Sequence, residues 1–399
     1  MNNISKEIES ILPSITSLRQ ELHRHPELSF NEVYTAKRIV SELDSIPGLL
    51  IESEIAKTGV LATLGAEKRG PCIALRCELD ALPIHEQSGV EYESSFSGKM
   101  HACGHDGHMA ALVGTVRILA KYQEQFPGPI KFIFQPAEEH GGGAKHMCDA
   151  GVLKNPKVDT ILAFHCNPRL PLNTIGICDG PTMASCDSLR ISVRGKGGHA
   201  AAPHAACDPI HVAAQLIVSL QGIVSRSIDP IDALVITVSK FHAGGQISPD
   251  QAPNIIPDTA ELEGTIRALS PDVRIDAHKH IVAIAQNTAR AFGAEAEIEI
   301  TEGYPALINN SEASALALKA AKGISPAQSI LHPIPPKLSA EDFAFYTEYT
   351  KAAMWFLGIS PPGTSNYPYL HNSQFNFVDD ALFQAVRMHC ACVQRFFEA

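Results

Sequence analysis

The chain has 399 residues, 45% of them hydrophobic and 19% charged, an ordinary globular composition with apolar material for more than one buried core. Acidic residues outnumber basic ones by 43 to 32, for a net charge of -11, and the sequence has no dense Lys/Arg block; this excludes the phosphate-neutralising surface of a nucleic-acid binder and leaves a small molecule as the expected partner. No stretch approaches the roughly 18 uninterrupted apolar residues of a membrane span, so no membrane partner is expected.

The opening MNNISKEIESILPSITSLRQ interrupts its apolar positions with charges, unlike a secretory signal. Ten cysteines are too sparse for a disulfide scaffold. A cytoplasmic protein with mostly free thiols is expected, one of them available as a metal ligand.

Ile8, Leu12, Ile15, Leu18 and Leu22 fall at helical spacing, with Pro13 predicting a kink or restart, and a second helix is expected from about Asn31. Short β-rich runs follow at Val60–Leu64, Cys72–Arg76, Ile130–Phe134 and Thr160–Phe164. Between them Leu112, Val116 and Leu119 mark one face of a helix. Strands alternating with helices imply a mostly parallel sheet covered by helices on both faces, an α/β catalytic domain.

From about Asp187 the rhythm becomes strand, helix, strand, strand, helix, strand: SLRISVRG, Pro209 to about Ser225, ALVITVSKF, TAELEGTIRAL, Pro271 to Phe292, and EAEIEIT. Asp208 and Ser270 suit the helix N-caps, each followed by proline, and Gly293 suits a C-terminal stop. This β-α-β-β-α-β series predicts an inserted ferredoxin-like α+β lid domain. A helix around Glu312–Ala321, an irregular loop over Gly358–Pro368 and a last amphipathic helix near Asp380–Phe397 follow. The expected division is residues 1–185 and 303–399 for the catalytic, metal-binding domain and 186–302 for the lid.

The richest chemical string is His101-Ala-Cys103-Gly-His105-Asp106-Gly-His108, directly before the Leu112 helix. Cys103 and His105, two apart in an extended segment, point to one side and can hold one metal centre. Thiolate and imidazole suit zinc and its transition-series neighbours, and a thiolate can bridge two ions. At the end of the KFIF strand stand Glu138 and Glu139, where ligand sites of open α/β sheets lie. Adjacent side chains diverge, so one glutamate can hold metal while the other takes a proton from a metal-activated water. His165 ends the next strand in the same way, and His371 follows the proline-rich loop. Each histidine alone is compatible with an ordinary core or surface residue. Together, one Cys, three His and one Glu exceed a closed tetrahedral site and suit two metals.

The strings HACGHD, FQPAEE, FH and LHN, in this order and spacing, resemble the metallo-aminoacylase and hippurate hydrolase family, in the branch with the indole-acetyl-amino-acid hydrolases. RQELHRHPELSFNE, ALPI, GKGGHAAAPH, PNIIPD, GTIRAL and SAEDFAFY extend the likeness over essentially the whole chain. The resemblance implies that Cys103, His105, Glu139, His165 and His371 bind two divalent ions, Mn or Zn foremost, with Ni or Co also compatible, and that Glu138 is the general base.

It further implies that His199 in the lid donates to the oxyanion, with His204 as a rival, and reaches the partner's site in dimeric relatives. Asn254 and Arg267 would hold the substrate carboxylate. A homodimer or higher homo-oligomer through the lid is expected. Two departures from the family pattern stand out: Glu78 replaces the usual aspartate, and Ala340 replaces the usual serine, leaving the role of Glu341 open. Neither Glu78 nor Asp80 is assigned to metal; Asp80 is expected to orient a ligand histidine.

The implied activity is metal-dependent hydrolysis of the amide bond of N-acyl amino acids. The rivals are a metallo-dipeptidase or carboxypeptidase, an enzyme using Cys103 as covalent nucleophile, and a non-catalytic binding protein for amino-acid conjugates.

Overall fold

The computed structural model describes residues 2–245, 252–364 and 366–398, which form two compact units. The first comprises residues 1–182, 308–336 and 342–399, and the second 183–307 and 337–341. The segment 337–341, expected from the sequence in the catalytic domain, goes with the second unit because its backbone is bonded there: the Ala184 amide donates to Ser339 O at 3.0 Å and Arg267 Nη1 to Leu338 O at 3.1 Å.

The first unit is built on a mixed eight-stranded sheet in the order Leu49–Ile55, Gly59–Leu64, Ile130–Gln135, Ile73–Glu78, Thr160–Pro171, Lys351–Ser360, Ile175–Ile177, Ile330–Leu331. Its four central strands, from Ile130–Gln135 to Lys351–Ser360, run parallel. The strands Gly59–Leu64, Ile73–Glu78 and Ile130–Gln135 are buried at every position. Only a sheet covered on both faces buries a strand without alternation, which explains the continuous apolar runs in the sequence. The edge strand Leu49–Ile55, absent from the sequence expectations, carries exposed Glu52 and Glu54, charges that keep an open edge from pairing with another chain.

Helices Asn2–Arg24, His105–Ala120 and Leu382–Phe397 pack on one another, burying Ile15, Leu18, Val113, Val116, Val386 and Val393. The first runs unbroken through Pro13, contrary to the expected kink. Pro13 lies on the exposed face, where water can satisfy the carbonyl its ring leaves unbonded. Among the described residues, no helix is long and apolar enough to cross a membrane.

The second unit is an antiparallel sheet in the order Leu234–Ala243, Thr259–Ala268, Cys186–Arg194, Glu295–Tyr304, the strand order of the ferredoxin-like unit expected from its β-α-β-β-α-β series. Thr259–Ala268 alternates between buried and partly exposed positions; its buried side packs with Leu216, Leu220 and Ile281 of the helices Pro209–Gly222 and Pro271–Ala291. Asp208 caps the first helix through its side chain, accepting from the Ile210 amide at 2.9 Å. The Ser270 hydroxyl makes no such bond, and only its backbone carbonyl caps the second. Gly293, at φ 76°, closes that helix as expected.

Candidate metal and catalytic site

Of the candidate ligands, Cys103, Glu139 and His371 lie outside the strands and helices and His105 opens a helix, whereas His165 lies within the strand Thr160–Pro171, which continues six residues past it instead of ending there as expected. Glycine geometry sets the approach of several. Gly104 (φ 85°) separates Cys103 from His105, the first residue of the helix His105–Ala120; a Cβ here would come within 2.6 Å of Cys166 Sγ. The loop after Ile130–Gln135 folds back on itself. Gly143 N–H donates to Ala137 O at 3.0 Å, and a Cβ on Gly143 would lie 1.7 Å from Pro136 O. Ala137 takes φ 54° immediately before Glu138, its amide donating to buried Glu32 at 2.8 Å. His371 also has a positive φ, 64°, and its amide donates to Ala102 O at 2.8 Å, tying its loop to the neighbour of Cys103. Left-handed backbone at non-glycine residues costs energy and collects where geometry serves a site.

These loops bring all six first-unit residues together. Donor atoms of Cys103, His105 and His165 lie within 4.8 Å of one another, as do those of Cys103, Glu139 and His371, and those of His105, Glu138 and Glu139. Cys103 Sγ is 3.4 Å from His165 Nε2; Glu139 Oε1 is 3.4 Å from His371 Nε2 and 4.0 Å from His105 Nε2. An ion bound tetrahedrally at about 2.0–2.3 Å separates its ligands by roughly 3.3–3.8 Å. His105 Nε2 and Glu139 Oε1 are buried without a hydrogen-bond partner, a costly arrangement that a cation would relieve. The residues therefore fit a metal centre, with Cys103 common to two of the groups.

Asp80 supports this set. Its backbone carbonyl accepts from His105 Nδ1 at 2.8 Å, leaving Nε2 toward the cluster, while its carboxylate accepts from the Glu139 amide at 2.9 Å and from Ser29 Oγ at 2.7 Å. The electrostatics point the same way. Burial pushes the His105 pKa down, but the bond to Asp80 and the charges of Glu78, Asp80 and Glu139 outweigh it and lift the pKa to about 10. Burial and the nearby Glu139 and Glu138 push the Cys103 thiol well up. Burial, then His108, keeps His165 neutral by holding its pKa well below the usual histidine value. A pocket that traps a proton on His105 and holds a neutral thiol has surplus negative charge, which a divalent ion can replace.

The sequence did not single out His108, Arg76, Gln135 or Asp342. His108 has both nitrogens engaged, by Glu78 and by the Cys166 amide, and so does not serve as a ligand despite its closeness to His105 and His165. Arg76 bonds Glu78, Gln135 Oε1 at 2.8 Å and Asp342 at 2.7 Å. Asp342 also accepts from Gln135 Nε2 at 2.8 Å and the Ala144 amide at 2.9 Å. This buried network ties together the strand ends that carry the site. A charged residue inside an apolar strand, ALRCELD, was the available signal.

In the second unit, His199 and Asn254 are neighbours. Strand residues Gly198 and His199 pair with Ile255 and Ile256, and the Ala200 amide donates to Asn254 O at 2.9 Å. Both residues are exposed. Arg267 stands at the far end of the strand Thr259–Ala268, about 27 Å along it from Thr259 at ~3.4 Å per residue. The three lid residues therefore form no single cluster within their unit.

A mostly parallel α/β sheet carrying a candidate Cys/His/Glu metal constellation, joined by chain to a ferredoxin-like unit, defines a metal-dependent amidohydrolase. The chain belongs to the peptidase family M20/M25/M40, whose model matches residues 74–395. It is 38% identical over 368 residues to an N-acetylcysteine deacetylase of Bacillus subtilis, covering 92% of this chain and 93% of that one. With the hippurate hydrolase of Campylobacter jejuni it shares 36% identity over 394 residues, 99% of each. The crystal structure of the Bacillus subtilis YXEP protein, a dinuclear metal-binding peptidase from the M20 family, superposes with a TM-score of 0.84 at 32% identity, covering 98% of this chain and 99% of that one.

Proposed function

We propose that the protein hydrolyses the amide bond of N-acyl amino acids, releasing a carboxylic acid and a free amino acid. The observation that carries this reading is the convergence of Cys103, His105, Glu139, His165 and His371 with Glu138 beside them. The five would hold two divalent ions, manganese or zinc foremost, nickel and cobalt being compatible with the same donors. When bound, such ions supply the Lewis acidity that brings a water's pKa near neutrality and draws charge from a carbonyl oxygen.

Glu138, next in sequence to a ligand, takes the proton of the attacking water. It returns that proton to the amine nitrogen as the C–N bond breaks. His199 donates to the developing oxyanion, while Asn254 and Arg267 engage the substrate carboxylate. A homodimer or higher homo-oligomer through the lid is the assembly this reading favours. The ten cysteines are all free, which supports a reducing, cytoplasmic setting.

Replacing Glu138 with Gln tests the base. E138Q should keep its metal content while kcat on an N-acyl amino acid falls by about 10²–10⁴-fold; near-normal turnover sinks the assignment. A panel of acetylated and benzoylated amino acids with plain dipeptides, run on metal-stripped protein restored one ion at a time, identifies both substrate class and metal. Preference for dipeptides would favour a peptidase instead.

A further inference from the structure

Beneath the ligand set, a chain of buried hydrogen bonds ends on one of its members. Glu78 is fully buried, one carboxylate oxygen tied to Arg76 and the other 2.7 Å from His108 Nδ1. A carboxylate only accepts, so His108 carries its proton on Nδ1 and presents a lone pair at Nε2. That lone pair accepts the Cys166 amide at 3.0 Å. The carbonyl of the same Cys166 accepts His165 Nδ1–H at 2.9 Å. His165 is thereby held in the tautomer that keeps a lone pair on Nε2, which faces Cys103 Sγ at 3.4 Å.

We propose that Glu78 and His108 are positioning residues that act through the Cys166 backbone, its amide on one side and its carbonyl on the other, to fix the ring orientation and tautomer of His165, and so set the metal affinity of the centre. The inference rests on the reading of His165 as a ligand. A histidine that merely fills the core would need neither a buried carboxylate on one nitrogen nor an amide on the other, and an apolar side chain would spare the desolvation of both. Metal-binding histidines depend on what their second nitrogen touches, and losing such a partner typically weakens metal binding about 10–100-fold. Here that partner is a peptide carbonyl, and Glu78 and His108 supply the rigidity a lone peptide lacks. Arg76 extends the anchorage to Gln135 and Asp342, so the strand bearing His165 and the strand leading to Glu138 and Glu139 share one buried cation.

The test is metal titration of H108L and H108Q, both of which fill the volume. Glutamine can still accept the Cys166 amide and donate to Glu78; leucine can do neither. Cobalt(II) binding is followed by its thiolate charge-transfer band and its d–d absorption, with folding of the metal-free proteins checked by circular dichroism. H108L should bind cobalt about 10–100-fold more weakly than wild type and with an altered band, H108Q within a few-fold. Equal affinity and identical spectra for wild type, H108L and H108Q overturn the proposal. So does an affinity lost equally in both variants, because the loss would then not follow the hydrogen bonds. The titration needs no turnover, so an unexpectedly active E138Q would refute the hydrolytic base and leave this result standing. A wild type that binds no cobalt would remove the ligand assignment and this inference together.

Discussion

His23 is fully buried with both ring nitrogens facing carboxylates, Nδ1 2.8 Å from Asp106 and Nε2 2.9 Å from Glu86. Only the imidazolium donates from both nitrogens. Burial alone would lower its pKa, but the bonds and charges of Asp106 and Glu86 outweigh that and lift it from 6.5 to about 9. A proton held more tightly in the folded state stabilises that state fully below pH 6.5, and the contribution is lost as pH rises through 9. At ~1.36 kcal/mol per unit, the shift corresponds to about 3 kcal/mol. Urea unfolding of wild type should therefore lose about this much stability between pH 6.5 and 9. H23Q should start less stable and lose much less over the same interval; parallel pH profiles for the two proteins would show that the proton sits elsewhere.

At the scale of elements, the turn from Cys103 into the helix His105–Ala120 depends on Gly104. Alanine there would meet both the strain of φ 85° and the Cys166 sulfur at 2.6 Å. G104A should cost about 2–3 kcal/mol of stability and weaken metal binding, since Cys103 and His105 flank the distorted residue. Denaturation and metal titration on the same sample check both, and unchanged values for both would show that the turn can relax.

This element also marks what was legible in advance. The spacing of Cys103 and His105 and the apolar run that leads to His165 are local patterns, and the residues they named converge, although the strand runs on past His165. The anchors were not legible. Arg76 and Asp342 are 266 positions apart, and Glu78 and His108 are 30 apart, so only folding brings them into contact. Pro13 failed as a signal for a related reason, because its effect depends on which face of the helix is solvated, and that face is set by packing. Lid roles for His199, Asn254 and Arg267 came from resemblance, and the topology shows what resemblance could not: His199 pairs in a separate two-stranded sheet, while Arg267 lies near the end of a strand of the four-stranded one.

For the molecule as a whole, two separate cores imply two separable stabilities. The candidate ligands all belong to the first unit. Metal at about 100 times its Kd should raise that unit's stability by ~2.7 kcal/mol for each independent site. Calorimetry should show one transition that moves down on chelation and back up when metal is returned, and another that stays put. A shift of the whole profile by an equal amount would mean that the two cores unfold as one.

The nesting of one unit within the other has a consequence for synthesis. The four strands and two helices of the inserted sheet are contiguous between Cys186 and Tyr304, so they can close on themselves as they leave the ribosome. The larger sheet cannot, because Lys351–Ser360 must slot between Thr160–Pro171 and Ile175–Ile177, strands made long before it. During that interval Cys103, His105, Glu139 and His165 exist without a finished scaffold, and on the proposed ligand set the order of translation would delay tight metal capture until His371 has been made and its loop has docked on Ala102.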